Sequence, residues 1–255
     1  MNQEKRDKYL QEDFKELAET YAEFKALILS HIMAERIKRV HWDFARTSTK
    51  MKELTAKIKE LSDSFYTDKL MPKLKTIYKK EFERAVEEIE EMIEGEMLPV
   101  DVEKILSEDV SVDGLTLEER EKKNHDAFLL VLIGALRQSA GDDGKFLDLY
   151  GSKGIEKLFE NHLVRNVKRG LTTQVTRMEW LAMREMDEQN QAGEIYFQPG
   201  RGKQLEWAYY CEKDGLVCDT CKEFEGMRFT RFSDAPELPQ HPNCRCWYGV
   251  YRYLD

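Results

Sequence analysis

The chain has 255 residues, 41% hydrophobic and 35% charged, with 14 Gly and 6 Pro. That balance excludes a collagenous, low-complexity or disulfide-knot protein and suits a helix-rich one with a core of ordinary size. Forty Lys and Arg against 49 Asp and Glu give a net charge of -9, so the chain as a whole has no general attraction for nucleic acid or anionic membrane, and any such contact has to be local.

In the first hundred residues apolar side chains recur at alternating spacings of four and three: Leu10, Phe14, Leu17, Tyr21, Phe24, Ile28 and Ile32. This period puts them on one face of an amphipathic helix. Met51, Leu54, Ile58, Leu61 and Phe65 form a second stripe after a break near residues 42–48, and Phe82, Val86, Ile89 and Ile93 form a third. The expectation for residues 1–98 is a helical hairpin or bundle that buries these stripes against each other. Charge is segregated over the same region. Basic residues dominate from Arg36 to Arg84, and acidic ones from Glu87 to Glu121. Lys69, Lys73, Lys75, Lys79 and Lys80 are the candidates for contact with a DNA or RNA backbone, against the alternative of a solvated helix face.

Residues 99–116 read as a linker, ending in a Thr116-x-x-Glu119 capping box that opens the next helix. Residues 117–192 are expected to be helical. Ala127 to Leu136 reads as a buried helix closed by the turn-rich Ala140 to Gly144. Lys153 to Arg169 and Leu171 to Glu188 read as two further helices, with Gly170 as the stop between them. The run Ala127 to Leu136 is about half the roughly 20 residues that a membrane span needs. His31, His41, His125 and His162 fall along these helices as surface or interhelical residues. From residue 193 onward the pattern changes to short aromatic strands and turns: Leu205 to Tyr210, Gly226 to Phe232 and Trp247 to Tyr253.

All five cysteines, Cys211, Cys218, Cys221, Cys244 and Cys246, lie in the last fifth of the chain. Their odd number, and an N-terminus without an apolar signal core, point to a reducing compartment. Cys218-x-x-Cys221 places two thiols on one tight turn. His241-x-x-Cys244-x-Cys246 supplies three more donors from a second turn. Soft sulfur and nitrogen donors in two such clusters favour Zn2+ over Mg2+ or Ca2+. Cys218, Cys221, His241 and one of Cys244 or Cys246 complete a four-coordinate structural site, and Cys211 is left over as a small buried residue. A thiol redox pair and a disulfide-stapled tail are the competing readings of the same cysteines, the first without a thioredoxin-like unit to carry it. Phosphate-loop, dinucleotide-binding, zinc-protease and nucleophile-elbow motifs are absent from the sequence, so no catalytic residues are expected and the chain does not read as an enzyme.

At these residues the chain resembles the C-terminal domain of tailed-phage minor head proteins, the phage Mu F-like or SPP1-type head morphogenesis family. The resemblance runs through Asp214 to Cys221, Phe224 to Phe229, Pro236 to Pro239 and His241 to Cys246, and upstream through the helix Thr173 to Met186 with Arg177 and Glu179. It covers about residues 171–251. It implies that Cys218, Cys221, His241, Cys244 and Cys246 are the family's Cys/His motif, Gly226 its turn glycine and Asp214 its acidic position. It further implies a structural head or capsid component in the virion, at the portal vertex or head interior, and in the host cytoplasm during assembly. The partners implied are portal, capsid or scaffold proteins, with packaged double-stranded DNA as a further contact and neither a membrane nor a small-molecule substrate. The expected architecture is therefore mostly α: an N-terminal helical bundle or hairpin, further helices, and a small zinc-stabilised α+β C-terminal module over residues 193–255. A zinc-ribbon-like nucleic-acid-binding protein is the alternative, and a metal-dependent toxin or hydrolase a weaker one.

Overall fold

A computed structural model describes residues 3–37, 49–110, 114–139, 154–197, 204–211, 217–241, 244 and 246–254. His41, the break at residues 42–48, the turn at residues 140–144 and Asp214 lie outside the described residues. The protein is mostly helical, with a small antiparallel sheet near its C-terminus. Helix α1 spans Gln3–Ile37. Helices α2 (Thr49–Phe65) and α3 (Met71–Ile93) are joined without a break by a π-helical turn, Tyr66–Leu70. The stretch expected to be a linker contains a short helix, α4 (Val102–Glu108), capped by the Asp101 side chain. Helix α5 is Leu117–Ser139. A second π-helical turn, Leu163–Val167, joins α6 (Gly154–His162) to α7 (Lys168–Ala192).

The chain forms two compact units, each assembled from segments distant in sequence. One takes residues 14–74 and 115–168, and the other residues 1–13, 75–114 and 169–255. They cut across the expected segments 1–98, 99–116, 117–192 and 193–255, because α1 and α3 each contribute to both.

The first unit is a helical core. Leu17, Tyr21, Phe24, Ile28 and Ile32 of α1 are all buried, as are Met51, Leu54, Ile58 and Phe65 of α2. Both stripes face inward as their period requires. Phe24 stacks on Phe65 at 4.3 Å between ring centroids, and Phe128 stacks on the His162 ring at 4.0 Å. The His162 Nε2 lies 3.3 Å from the Tyr21 hydroxyl, and His125 Nε2 lies 2.7 Å from Ser62 Oγ. Both histidines are thus interhelical, and burial holds both below the usual imidazole range, His162 at about 4. The apolar segment of α5 departs from expectation. Phe128, Leu129, Leu132 and Leu136 are buried, but Leu130 and Val131 are 71% and 56% exposed, so this helix is amphipathic rather than buried all round.

The second unit is organised around α7. Nearly every side chain from Leu171 to Met183 is buried, polar ones included. Gly170 does not stop the helix but sits inside its first turn. A helical glycine costs only about 1 kcal/mol relative to alanine, less than the burial of the adjoining Leu171, Val175 and Met178 returns. Around α7 lie α4, the two-residue ladder β1 (Gly95–Glu96) with β2 (Tyr196–Phe197), and a three-stranded sheet of order β4-β3-β5. Strand β3 is Gln204–Tyr210, β4 is Arg228–Phe229 and β5 is Trp247–Leu254. The strand expected over residues 226–232 is cut to two residues, since the chain turns into a 3-10 turn at Phe232–Asp234 to bury Phe232. Trp207, Tyr209, Tyr248 and Phe232 pack edge to face as the core beneath this sheet.

Candidate metal centre

The C-x-x-C pair opens a short helix, α8 (Asp219–Phe224). Cys218 sits at the N-cap, where its sulfur accepts from the Cys221 backbone N–H at 3.4 Å and its carbonyl accepts from Lys222 N–H at 3.1 Å. The turn directs the Cys221 side chain inward, where it is fully buried, and leaves Cys218 half-buried. Gly226, at φ +78°, turns the chain from α8 into β4 and donates its N–H to Tyr209 O at 2.9 Å. A second turn brings the remaining donors. Cys244 N–H donates to His241 O at 3.0 Å, which folds His241 and Cys244 towards the same point.

Side-chain atoms of Cys218, Cys221 and His241 lie within 4.8 Å of one another, as do those of Cys221, Cys244 and Cys246. Cys221 belongs to both groups and is central. Its sulfur is 3.3 Å from His241 Nε2 and 3.9 Å from Cys244 Sγ. An ion with metal–sulfur distances of about 2.3 Å in tetrahedral geometry separates its sulfur ligands by about 3.8 Å, so the spacing fits. The five residues expected as donors from the sequence thus form two groups joined at Cys221, and either group could hold a metal ion. Cys211, expected to be an unrelated buried residue, joins them: its sulfur lies 3.4 Å from Cys246 Sγ and 3.2 Å from Cys221 O.

The electrostatics of the cluster divide the thiols. Hydrogen bonding from Cys246 pulls the Cys244 thiol down to about 5, whereas that same contact and burial push Cys246 up. Burial raises both Cys211 and Cys221 to about 12. The Tyr209 hydroxyl is buried and faces the thiols of Cys246 and Cys221. A phenol held against thiols acquires a strong acceptor once they become thiolates, as metal binding makes them.

The platform beneath the cluster comes from α7. Thr176 Oγ1 donates to Cys244 O at 2.8 Å and accepts from Arg6 at 2.7 Å. Arg177 makes a bidentate pair with Asp109 at 3.0 and 2.6 Å and donates to Leu238 O at 3.0 Å, so it ties the end of α4 to the loop before His241. Glu179 pairs with Arg6 at 2.9 Å. Asp187 accepts from Trp207 Nε1 at 3.2 Å and from Phe232 N–H at 3.0 Å, which fixes β3 and the 3-10 turn to the helix. Asp109, Asp187 and Tyr209 are supporting residues that the sequence does not single out, because their roles depend on partners far away in the chain.

The lysines expected as phosphate contacts are distributed differently. Lys69, Lys75 and Lys79 are exposed and Lys73 and Lys80 are half-buried. Lys73 pairs with Glu16 at 2.5 Å, Lys79 with Glu103 at 3.9 Å, and Lys80 with the fully buried Asp13. Among the described residues no helix is long and apolar enough to cross a membrane. The fold and site together define a mostly helical protein with a small sheet bearing a Cys/His cluster. Comparison with protein-family models, curated proteins and solved structures finds no match.

Proposed function

We propose that this chain is a minor head protein of a tailed phage or prophage, a structural and assembly component whose C-terminal module is held together by one Zn2+. The observation that carries the reading is the union of the two segments on which the family resemblance rests. The Arg177-x-Glu179 helix and the Cys/His tail form one packed unit, in which Thr176 holds the Cys244 carbonyl and Arg177 the Leu238 carbonyl.

The zinc ligands in this reading are Cys218, Cys221, His241 and Cys244. Cys244 is taken as the fourth because its sulfur stands 3.9 Å from that of Cys221, close to the separation of two sulfurs on one ion, and Cys246, grouped with the same two cysteines, is the competing donor. Four protein ligands close a zinc site and leave no position for a substrate, which makes the ion structural in this reading. The module then acts as a rigid docking element for portal or capsid proteins. Lys73, Lys79 and Lys80 pair with Glu16, Glu103 and Asp13, and the exposed Lys69 and Lys75 are the candidates for contact with packaged DNA in this reading.

Two measurements test it. Protein purified under reducing conditions should carry one equivalent of zinc and lose thermal stability on chelation; less than about half an equivalent, with an unchanged melting temperature, overturns the zinc site. Antibody probing of purified particles and proheads should find the chain in both, and its absence from both overturns the head-protein reading.

A further inference from the structure

Cys211 and Cys246 are not among the four ligands assigned above, although Cys246 lies within 4.8 Å of Cys221 and Cys244, and the sheet register explains why the two meet. Strands β3 and β5 are antiparallel, with Tyr210 opposite Trp247, so Cys211 and Cys246 are the next facing pair. Tyr209 turns its backbone towards β4, donating to Met227 O at 3.0 Å and accepting from Gly226 N–H at 2.9 Å. Alternation along β3 therefore points the Tyr210 backbone at β5 and makes Cys211 and Cys246 a non-hydrogen-bonded pair. In such pairs facing side chains come closest, with Cα atoms about 4.5 Å apart, a span that a disulfide bridges. The two sulfurs are 3.4 Å apart and buried.

We propose that Cys211 and Cys246 are a dithiol modification site, which hydrogen peroxide closes to a cross-strand disulfide beside the metal centre without displacing the metal. One cysteine gives up its proton and attacks a peroxide oxygen as the thiolate, the O–O bond breaks, and the leaving hydroxide takes up that proton, so that a sulfenic acid and one water form. The other cysteine attacks the sulfenic sulfur. The S–S bond forms, the S–O bond breaks and a second water leaves, so two thiols lose two electrons and one peroxide gains them. The bridge joins the ends of the segment that contains all four zinc ligands. It thus fastens the module in oxidising surroundings, where zinc thiolates are vulnerable. The inference rests on the zinc reading only in giving Cys244, and not Cys246, to the metal.

Trypsin resolves the question because cleavage after Lys203, Lys213, Lys222, Arg231 and Arg245 leaves Cys211, the Cys218 and Cys221 pair, Cys244 and Cys246 on separate peptides. Full-length protein is treated with a few equivalents of hydrogen peroxide, unfolded in alkylating buffer with chelator and no reductant, and digested. The expected product joins peptide 204–213 to peptide 246–252, with the other cysteines alkylated and the zinc content before unfolding unchanged. Cys211→Ser should abolish the link and keep the zinc, Cys246→Ser should keep the zinc, and Cys244→Ser should lose it. A link from 246–252 to 232–245 or to 214–222 overturns the proposal. So does alkylation of both Cys211 and Cys246 at doses that oxidise the other thiols, or a second equivalent of zinc that requires Cys246. A zinc-free protein that still forms the 204–213 to 246–252 link supports the dithiol and overturns the metal reading alone.

Discussion

Arg177 is 2% exposed, and its guanidinium pairs with Asp109, lies over the Trp180 ring at 4.4 Å from its central carbon, and donates to Leu238 O. Removing the guanidinium while keeping the volume leaves the Asp109 carboxylate buried without its partner, the situation in which breaking a buried pair costs about 3–5 kcal/mol. Arg177→Met should lower unfolding stability by about that much in urea titration and loosen the loop carrying His241, so that a metal ion held by the cluster is removed faster by chelator. Gly226 is a smaller test of the same module. No atom stands where its Cβ would go, but its φ of +78° costs an L-residue about 1–2 kcal/mol. Gly226→Ala should therefore lower the melting temperature without disturbing the neighbours, as circular dichroism would show. At this scale the primary donors are legible in the sequence, because C-x-x-C and H-x-x-C are local spacings that force side chains together. Cys211 is not legible. It reaches the cluster through the strand register with Cys246, and nothing near residue 211 announces that partner.

Helices α1, α2, α3 and α5 show which element-level signals survive folding. The stripes of α1 and α2 are strictly periodic, and every member named from Leu17 to Ile32 is buried. Periodicity does not reveal that α2 continues into α3. The π-helical turn at Tyr66–Leu70, where Met71 N–H donates to Tyr66 O, interrupts the regular i to i−4 ladder just ahead of Pro72, so the long helix runs past a proline that an unbroken ladder would not accept. Polarity misleads in two opposite places. The apolar stretch of α5 leaves Leu130 and Val131 in solvent, while the charge-rich α7 is the most buried helix of its unit, since Arg6, Asp109, Trp207 and Phe232 satisfy its polar side chains. The Thr116 capping box is the local signal that transfers unaltered. Thr116 N–H donates to Glu119 Oε2 at 2.9 Å, and Glu119 N–H donates to Thr116 Oγ1 at 3.3 Å. Thr116→Ala should cost about 1 kcal/mol, read as a lower denaturation midpoint with an unchanged slope, and Thr116→Ser should restore most of it.

The two units should answer mild acid in opposite directions, because each buries a different kind of titratable group. In the unit of residues 14–74 and 115–168, burial pushes His162 down to about 4 from its ordinary 6.5, with His125 shifted the same way. The folded state keeps these rings neutral while the unfolded state takes up protons. Their contribution is complete above about pH 6.5 and is lost as pH falls towards 4. In the unit of residues 1–13, 75–114 and 169–255, burial raises Glu179 to about 7, and burial beside Asp13 raises Glu81 to about 8, both from 4.5. At these two carboxyls the folded state holds protons more tightly than the unfolded one, so their contribution is complete below about pH 4.5 and is lost as pH rises through 7 to 8; Cys244, held at about 5 in the same unit, works the other way and offsets part of it. Between pH 7.5 and 5.5 the His162 effect amounts to on the order of 1 kcal/mol and that of the two carboxyls together to a few kcal/mol. Hydrogen exchange corrected for the intrinsic pH dependence should show protection falling about tenfold over residues 51–65 and 128–136, and rising over residues 81–93 and 171–186. Replacing His162 with Gln should flatten the first response and leave the second, because Gln has no proton to gain. Protection that moves in the same direction in both units would show that the buried carboxylates and imidazoles do not govern their stability in this range.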